Sequence, residues 1–401
     1  MLNVADKAKC TGCTACASIC PHGAIAMLAD EEGFLYPHIL PDRCTGCGLC
    51  ERICPVHKSA EYEPQRKRRG YLARHTNDAI LADSTSGGFF TPMAEWTFQQ
   101  GGVVCAATFD DHFQVIHAFA ERGTDLYRFR GSKYVQSNLN ECFVRIRDVL
   151  KEGRMVTFVG TPCQVYGLKA FLGKAYPQLY TVDLVCHGVP SPKLWDAYLQ
   201  YQRKKYRSEI ADVHFRSKIY GYQSGTMLIR FANGRKYAQG CKNDLMLRSF
   251  YADVASRPSC YACPFKVLER CSDFTIYDAW HAHRLLPDLR KVDDKGYTNV
   301  IVHTERAVQL LNQLPGICFT EIDVESAIAL DGSMTRKSAV PHPGRSAFYR
   351  NMSADTIAEQ VQAHIPVSLT GSLLRKARPV LYKIGLLGLA KKVRESLKNK
   401  F

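Results

Sequence analysis

What the chain lacks narrows it first. Nowhere in its 401 residues does an apolar run approach the roughly 20 residues that cross a bilayer, so a helical membrane span is excluded. No signal peptide opens it, which predicts a cytoplasmic, reducing setting where thiols stay free. No low-complexity segment is present, and only one stretch repeats itself. Acid is also short: 38 Asp plus Glu stand against 53 Lys plus Arg, a net charge of +15. Such a balance favours acidic partners, namely phosphates, anionic lipid or an acidic redox protein. Nucleic acid is not among the partners expected. The hydrophobic share of 46% is ordinary for a chain that buries a core, and the length suits two or three domains.

Cysteine, by contrast, is abundant. There are 17, and eight of them form the one repeat. Cys10, Cys13, Cys16 and Cys20-Pro21 are spaced C-x2-C-x2-C-x3-C-P, and Cys44, Cys47, Cys50 and Cys54-Pro55 repeat that spacing. This is the spacing of a bacterial-type ferredoxin with two 4Fe–4S clusters, in which the fourth Cys of each run ligates the other cluster. Cys10, Cys13, Cys16 and Cys54 are therefore assigned to one cluster, and Cys44, Cys47, Cys50 and Cys20 to the other. Zinc sites use two pairs of ligands rather than a run of three and a distant fourth. Gly12, Gly46 and Gly48 let the backbone wrap the inorganic core.

Taken in order, residues 1–62 read as the ferredoxin module, with short strands near Ala24 and Leu35 making a hairpin. A polar, basic stretch at 63–70 reads as a linker. Periodicity then becomes α/β up to about residue 206: strands at 103–107, 115–119, 155–159 and 179–185, and helices at 89–96, 141–151, 165–172 and 192–206. Ser191 and Pro192 open the last helix as cap and first turn. Beyond it the pattern turns antiparallel, with Asn233-Gly234 as a hairpin turn, strands at 274–278 and 299–303, and a helix at 305–314. The expected fold class is thus α+β with α/β: a small ferredoxin-like domain at 1–62, a larger mixed α/β domain at 63–330, which the family resemblance given below makes a flavin and iron–sulfur domain, and a basic extension at 331–401.

Cys163 and Cys186 each follow a predicted strand. If those strands are neighbours in a parallel sheet, both thiols face the crevice at its carboxyl edge. Cys260 and Cys263 supply a close pair, and Cys271 follows eight residues later. From spacing alone, a third 4Fe–4S cluster on Cys163, Cys186, Cys260 and Cys263, a zinc site at Cys260 and Cys263, and plain packing stay open together. Cys105, Cys142, Cys241 and Cys318 read as filler. Ser86-Gly87-Gly88 before a helix offers N–H groups to a phosphate, or is an ordinary cap.

Five ordered motifs resemble the coenzyme F-420 hydrogenase/dehydrogenase beta-subunit family. They are Ser86-Gly87-Gly88, the stretch from Gly131 through Ser132, Lys133, Tyr134 and Ser137, Gly160-Thr161-Pro162-Cys163-Gln164, Cys186-His187-Gly188, and Cys260 and Cys263 followed by residues 272–280. The resemblance implies FAD, a third 4Fe–4S cluster on Cys163, Cys186, Cys260 and Cys263, and electron transfer between clusters and an organic or deazaflavin substrate. It also implies Ser86, Gly87, Gly88, Ser132, Lys133, Tyr134, Ser137 and Thr161 as FAD contacts. Cys271 stands where relatives have a small or apolar residue, which leaves one ligand's identity open. Ferredoxin or another redox protein is the expected donor. Relatives with this front end accompany polysaccharide-biosynthesis enzymes. The alternative is a non-catalytic electron-transfer subunit of a larger hydrogenase/dehydrogenase complex, and the rival enzyme runs in reverse, oxidising reduced F-420. His187 and Asp278 are acid–base candidates, with satisfied structural roles as the plainer reading. Residues 373–401 carry nine cations and one acid among leucines, so we expect either a peripheral contact with anionic membrane or a docked helix with a solvated basic face.

Overall fold

A computed structural model describes residues 6–57, 68–286, 293–367 and 378–384. At the front, a short helix (Ala15–Ile19) and a second (Leu49–Arg52) flank an antiparallel hairpin of β1 (Ile25–Ala29) and β2 (Leu35–Ile39), paired Ile25 to Ile39. This is the ferredoxin-like module its cysteine spacing predicts.

The body is a mixed α/β structure on one eight-stranded sheet. Its strands are β3 (Arg69–His75), β4 (Val103–Phe109), β5 (Val115–Ala120), β6 (Val156–Gly160) and β7 (Leu179–Leu184). Beyond the smaller sheet described below, β11 (Phe274–Asp278), β12 (Thr298–Val302) and β13 (Ile317–Ile322) complete it. The order is β13-β3-β12-β11-β7-β6-β4-β5. The four central strands, β11, β7, β6 and β4, run parallel, and the pairs outside them are antiparallel. Parallel strands must be covered on both faces. The helices Phe90–Gln99, Cys142–Lys151 and Pro162–Leu172 supply that cover with Met93, Trp96, Phe143, Ile146 and Leu168, all buried.

A second sheet, β8 (Ile210–Ser217), β9 (Thr226–Phe231) and β10 (Lys236–Gly240), is antiparallel throughout. Gly234 at φ +81° makes the turn that Asn233-Gly234 predicts. Its apolar face packs on the helix Pro192–Tyr206, where Ser191 caps by accepting from the N–H groups of Lys193 and Leu194. Trp195, Tyr198, Phe215 and Ile229 form this core, and Phe348, Ile357 and Val361 from the later helices share it.

Front module and body share cores and ion pairs. Phe34 is fully buried in the Trp195 cluster, and Cys13 and Ala15 lie in the cluster of Phe143 and Phe265. Arg345 grips Glu32 with both arms at 2.6 and 2.5 Å. The strands β3 and β13 were not expected. β13 is a half-exposed edge whose six residues alternate too weakly to be distinguished from a loop. The 165–172 helix begins three residues earlier, because Thr161 and Gln164 close a capping box around Pro162.

One buried carboxylate ties the sheet to the helix after β12. Asp273 accepts from the N–H and hydroxyl of Thr181, the hydroxyl of Thr304 and two nitrogens of Arg306, at 2.8–3.0 Å. Burial alone would raise its pKa, but the Arg306 hydrogen bonds and the charges of Lys169 and Arg306 bring it below the ordinary value. A carboxylate held low contributes stability above its unfolded pKa of about 3.9, and that stability is lost as pH falls through the lower folded value. Asp273→Asn should therefore cost about 3 kcal/mol at pH 7 in chemical denaturation, a difference that shrinks below about pH 4. A loss under about 0.5 kcal/mol would show that the network is not a tie.

Candidate functional site

The first cysteine set surrounds a cavity of about 590 Å³ lined by Cys10, Cys13, Cys16 and Cys54, together with Cys50 of the second run. Gly12 at φ +68° lets the loop turn against the body: a Cβ there would lie 2.7 Å from the Gln136 side-chain nitrogen and 2.8 Å from Arg257. Burial drives the Cys13 thiol well above its ordinary pKa and pushes Cys16 up to about 12, with the neighbouring thiols adding to both. Cys54 and Cys50 are raised by burial as well. Cys54 lines the cavity of the first run and acts on Cys16, and Cys20 acts on Cys50 across the two runs. Buried thiols crowded this way cannot ionise together unless a metal's positive charge reverses the balance. The residues fit a cluster.

The strands before Cys163 and Cys186 are adjacent and parallel, β6 beside β7. Cys163 lies in the first turn of its helix, and Cys186 two residues past β7. A short 3-10 turn (Pro258–Ala262) brings Cys260, with Cys263 just beyond. All four line one small cavity with Thr11, Lys266 and Arg270. Burial pushes Cys163 to about 12 and Cys186 to about 11, and raises Cys260 and Cys263. Two cations face the same space. Lys266 is buried and donates only to the carbonyls of Cys186 (2.6 Å) and His187 (3.2 Å). Arg270 is buried with Nε and Nη1 unpartnered and the Asp183 carboxylate 3.8 Å away. Two buried cations beside four thiols fit an anionic thiolate cluster. Among the described residues no three His, Cys, Asp or Glu side chains are close enough to grip one metal ion. Cys271 is buried in the Phe143 core, outside this cavity's lining. Cys105 and Cys142 are buried, Cys241 is partly buried and Cys318 is exposed.

Above this lies a cavity of about 440 Å³ at the carboxyl edge of β6, β7 and β11. Cys163 and Cys186 line both it and the cysteine cavity, and Thr11 lines all three spaces. Ser86, Gly88, Ser132, Lys133, Tyr134, Ser137 and Thr161 line it; Gly87 does not. The Gly87 N–H is taken by the Thr298 hydroxyl at 2.8 Å, and a Cβ there would meet the Ala73 carbonyl at 2.2 Å, so this glycine serves a close backbone approach. The Lys133 ammonium gives its three donors to the carbonyls of Arg128, Phe129 and Arg130 at 3.0–3.1 Å. Burial pushes its pKa down to about 7, while the three carbonyls favour its charged form. The Ser132 N–H donates to Thr85, and the Ser137 hydroxyl accepts from Gln164. Thr161 hydroxyl and Cys163 sulfur are 3.2 Å apart. The buried His117 Nδ1 and Tyr277 hydroxyl, from residues in the lining, have no hydrogen-bond partner among the described residues. With hydroxyls and orphaned polar atoms around a space of this size, the cavity fits a flavin.

One wall was not foreseen. Arg216 donates to Asp278 at 2.7 Å and to the Tyr134 hydroxyl at 3.0 Å, beneath the Trp280 ring at 4.5 Å. Tyr222 stacks on Trp280 and donates to Asp278 at 3.0 Å, and Tyr134 stacks on Phe250. Asp278 is thus a paired carboxylate, and His187 Nε2 lies 2.8 Å from Asp253. Arg216 and Phe250 come from segments with no motif. Lys266 and Arg270, by contrast, stand within eight residues of Cys263, a basic cluster beside thiols that the sequence does display.

Residues 153–320 match the family described as the C terminus of the coenzyme F-420 hydrogenase/dehydrogenase beta subunit, and residues 9–58 match the 4Fe-4S dicluster domain. The chain thus carries a segment similar to the C terminus of this beta subunit, behind a front segment that matches an iron–sulfur dicluster domain. No curated protein matches it. Among solved structures, a chain of the F-420-reducing NiFe hydrogenase complex of Methanosarcina barkeri, from a xenon-derivatised form, is similar over 75% of this chain and 91% of its own. The two are 16% identical with a TM-score of 0.42.

The shared cavity generates a direct test. Cys163→Ala and Cys186→Ala should each remove about four irons per chain and abolish the same low-temperature EPR signal. Full iron and an unchanged spectrum in either variant would make that residue packing.

Proposed function

We propose that this chain is an iron–sulfur flavoprotein oxidoreductase whose electrons enter at the front clusters from ferredoxin or another redox protein. The observation that carries this reading is the sequence of three adjoining spaces, two lined by cysteines and the third edged by hydroxyls and aromatic rings, with Thr11 common to all. Cys10, Cys13, Cys16 and Cys54 would hold one cluster and Cys44, Cys47, Cys50 and Cys20 the other. Cys163, Cys186, Cys260 and Cys263 would hold a third. FAD, when bound, exchanges single electrons for hydride-type pairs. This chain's part is to bind and orient. Ser86, Gly88, Ser132 and Thr161 present polar groups around the large cavity. Arg216, locked on Asp278, Tyr134 and Trp280, stiffens the wall where a small-molecule substrate such as a deazaflavin would lie. A role beside polysaccharide-assembling enzymes is part of this proposal and rests on the resemblance alone.

Anaerobically purified protein should contain about twelve irons and one FAD. F-420, NADH and reduced ferredoxin are then tried as reductants. About eight irons, no flavin and no reduction of the protein by any of the three would sink the enzyme reading. A second reading, an electron-transfer subunit, is favoured by the match to a beta subunit; it requires a catalytic protein that co-purifies, which the enzyme does not.

We also propose a peripheral membrane contact at the chain's end. Most of the amphipathic stretch, 373–377 and 385–401, lies outside the described residues. The helix Arg378–Lys383 is described, with Pro379 in its first turn. Val380 and Ile384 on this segment are 60% and 57% exposed, apolar surface open to a lipid interface, while Tyr382 meets Tyr220 edge-on at 5.8 Å. Among the described residues no helix is long and apolar enough to cross a membrane. The protein should sediment with anionic but not neutral liposomes, less so in salt, and not after truncation before Pro379; full-length protein left in the supernatant at low salt rules this out.

A further inference from the structure

Arg257 is fully buried between the front module and the body. Its Nε donates to the Cys10 carbonyl at 2.7 Å, and Nη1 to Gln136 Oε1 at 2.9 Å. Nη2 donates to the Leu35 carbonyl at 3.0 Å and reaches the Cys10 sulfur at 3.6 Å. The plane lies over Tyr36 at 4.1 Å, with Phe34 at 5.5 Å. Among the described residues no carboxylate pairs with it. A buried guanidinium with only neutral acceptors is a costly arrangement, because the charge loses water and gains no opposite charge. The anion it touches directly would be the thiolates of Cys10, Cys13, Cys16 and Cys54, whose cavity Cys10 lines. The geometry also differs from that of the outer set. Cys47 there is exposed, and the Arg52 that donates to its carbonyl is exposed too.

We propose that Arg257 is a positioning residue that raises the reduction potential of the cluster at Cys10, Cys13, Cys16 and Cys54, so that an electron entering the front module settles next to the body. This rests on those four residues being cluster ligands. One-electron reduction makes a cluster with four thiolates one unit more negative, with no bond made or broken; the electron comes from a low-potential donor. A buried cation and an N–H···S hydrogen bond both favour the more negative form. Gln136 relays the arrangement: its Nε2 donates to the Thr11 carbonyl at 3.1 Å, and its own N–H to Pro190, beside the loop of Cys186. The same guanidinium also acts on the Cys163 thiol, so its charge lies between the first and third cysteine sets.

The test is an EPR redox titration of the holoprotein with iron and sulfide counted, the signal being assigned by its loss in Cys13→Ser. In Arg257→Gln the iron count should stay full, while the reduction equilibrium constant of that signal falls at least tenfold, 59 mV for one electron. Gln136→Glu keeps the guanidinium in place and neutralises it; the same downward shift is expected, and this variant carries the test if Arg257→Gln does not fold. Arg257→Lys, which keeps the charge, should fall less than Arg257→Gln. A full iron count with constants within twofold of wild type in the folded variants overturns the role of Arg257 and leaves the cluster standing. Wild-type protein that holds no iron after anaerobic reconstitution overturns the cluster reading itself.

Discussion

The contact on which the rest depends is between two small positions, Cys13 and Gly167. Gly167 sits mid-helix in Pro162–Leu172, and a Cβ added there would lie 2.8 Å from Cys13 Cβ and 3.0 Å from its sulfur. A glycine inside a helix costs about 1 kcal/mol relative to alanine, so the position must gain something in exchange. What it gains is approach. The first cysteine loop lies directly on the helix that begins with Cys163, and the thiols of Cys13 and Cys163 act on each other electrostatically. Without that gap the front module would stand off the body, and the adjoining cavities would be separate pockets.

Around that contact the body is arranged by sheet polarity. The central parallel strands all end on the same side, so the loops after β6, β7 and β11 converge there and place Cys163, Cys186 and Asp278 around one crevice. The antiparallel strands outside them add His117 from β5 and Thr298 from β12 to its lining. The polar network of Asp183, Thr275 and His303 crosses β7, β11 and the end of β12 in the interior. Burial and the nearby Arg270 push His303 down to about 3, so it stays neutral and hydrogen-bonds without adding a second buried charge.

Much of this was legible in the sequence where local chemistry is strict. The doubled cysteine run, the Asn233-Gly234 hairpin and the Ser191 cap all depend on rules that act over a few residues. The capping box of Thr161 and Gln164 is equally local, but Pro162 between them reads as a break rather than as the first turn of a helix. Less legible were residues whose meaning comes from distant partners. Arg216 means little until it lies on Asp278, 62 positions away, and Arg257 looks like any surface cation until its 0% exposure is known. Gly87 carried the opposite difficulty. Its motif suggested a phosphate loop, whereas its N–H is used by Thr298 from across the sheet.

The wall formed by Cys163 and Cys186 is shared by the cysteine cavity and the large one. A molecule in the large cavity therefore becomes part of the dielectric and charge surroundings of whatever those two sulfurs hold. Occupancy and electron affinity become thermodynamically linked variables, and linkage is reciprocal. If a ligand makes the neighbouring site easier to reduce, then reduction tightens that ligand by the same factor. A chain built this way needs no moving gate to match the arrival of electrons to the presence of its substrate.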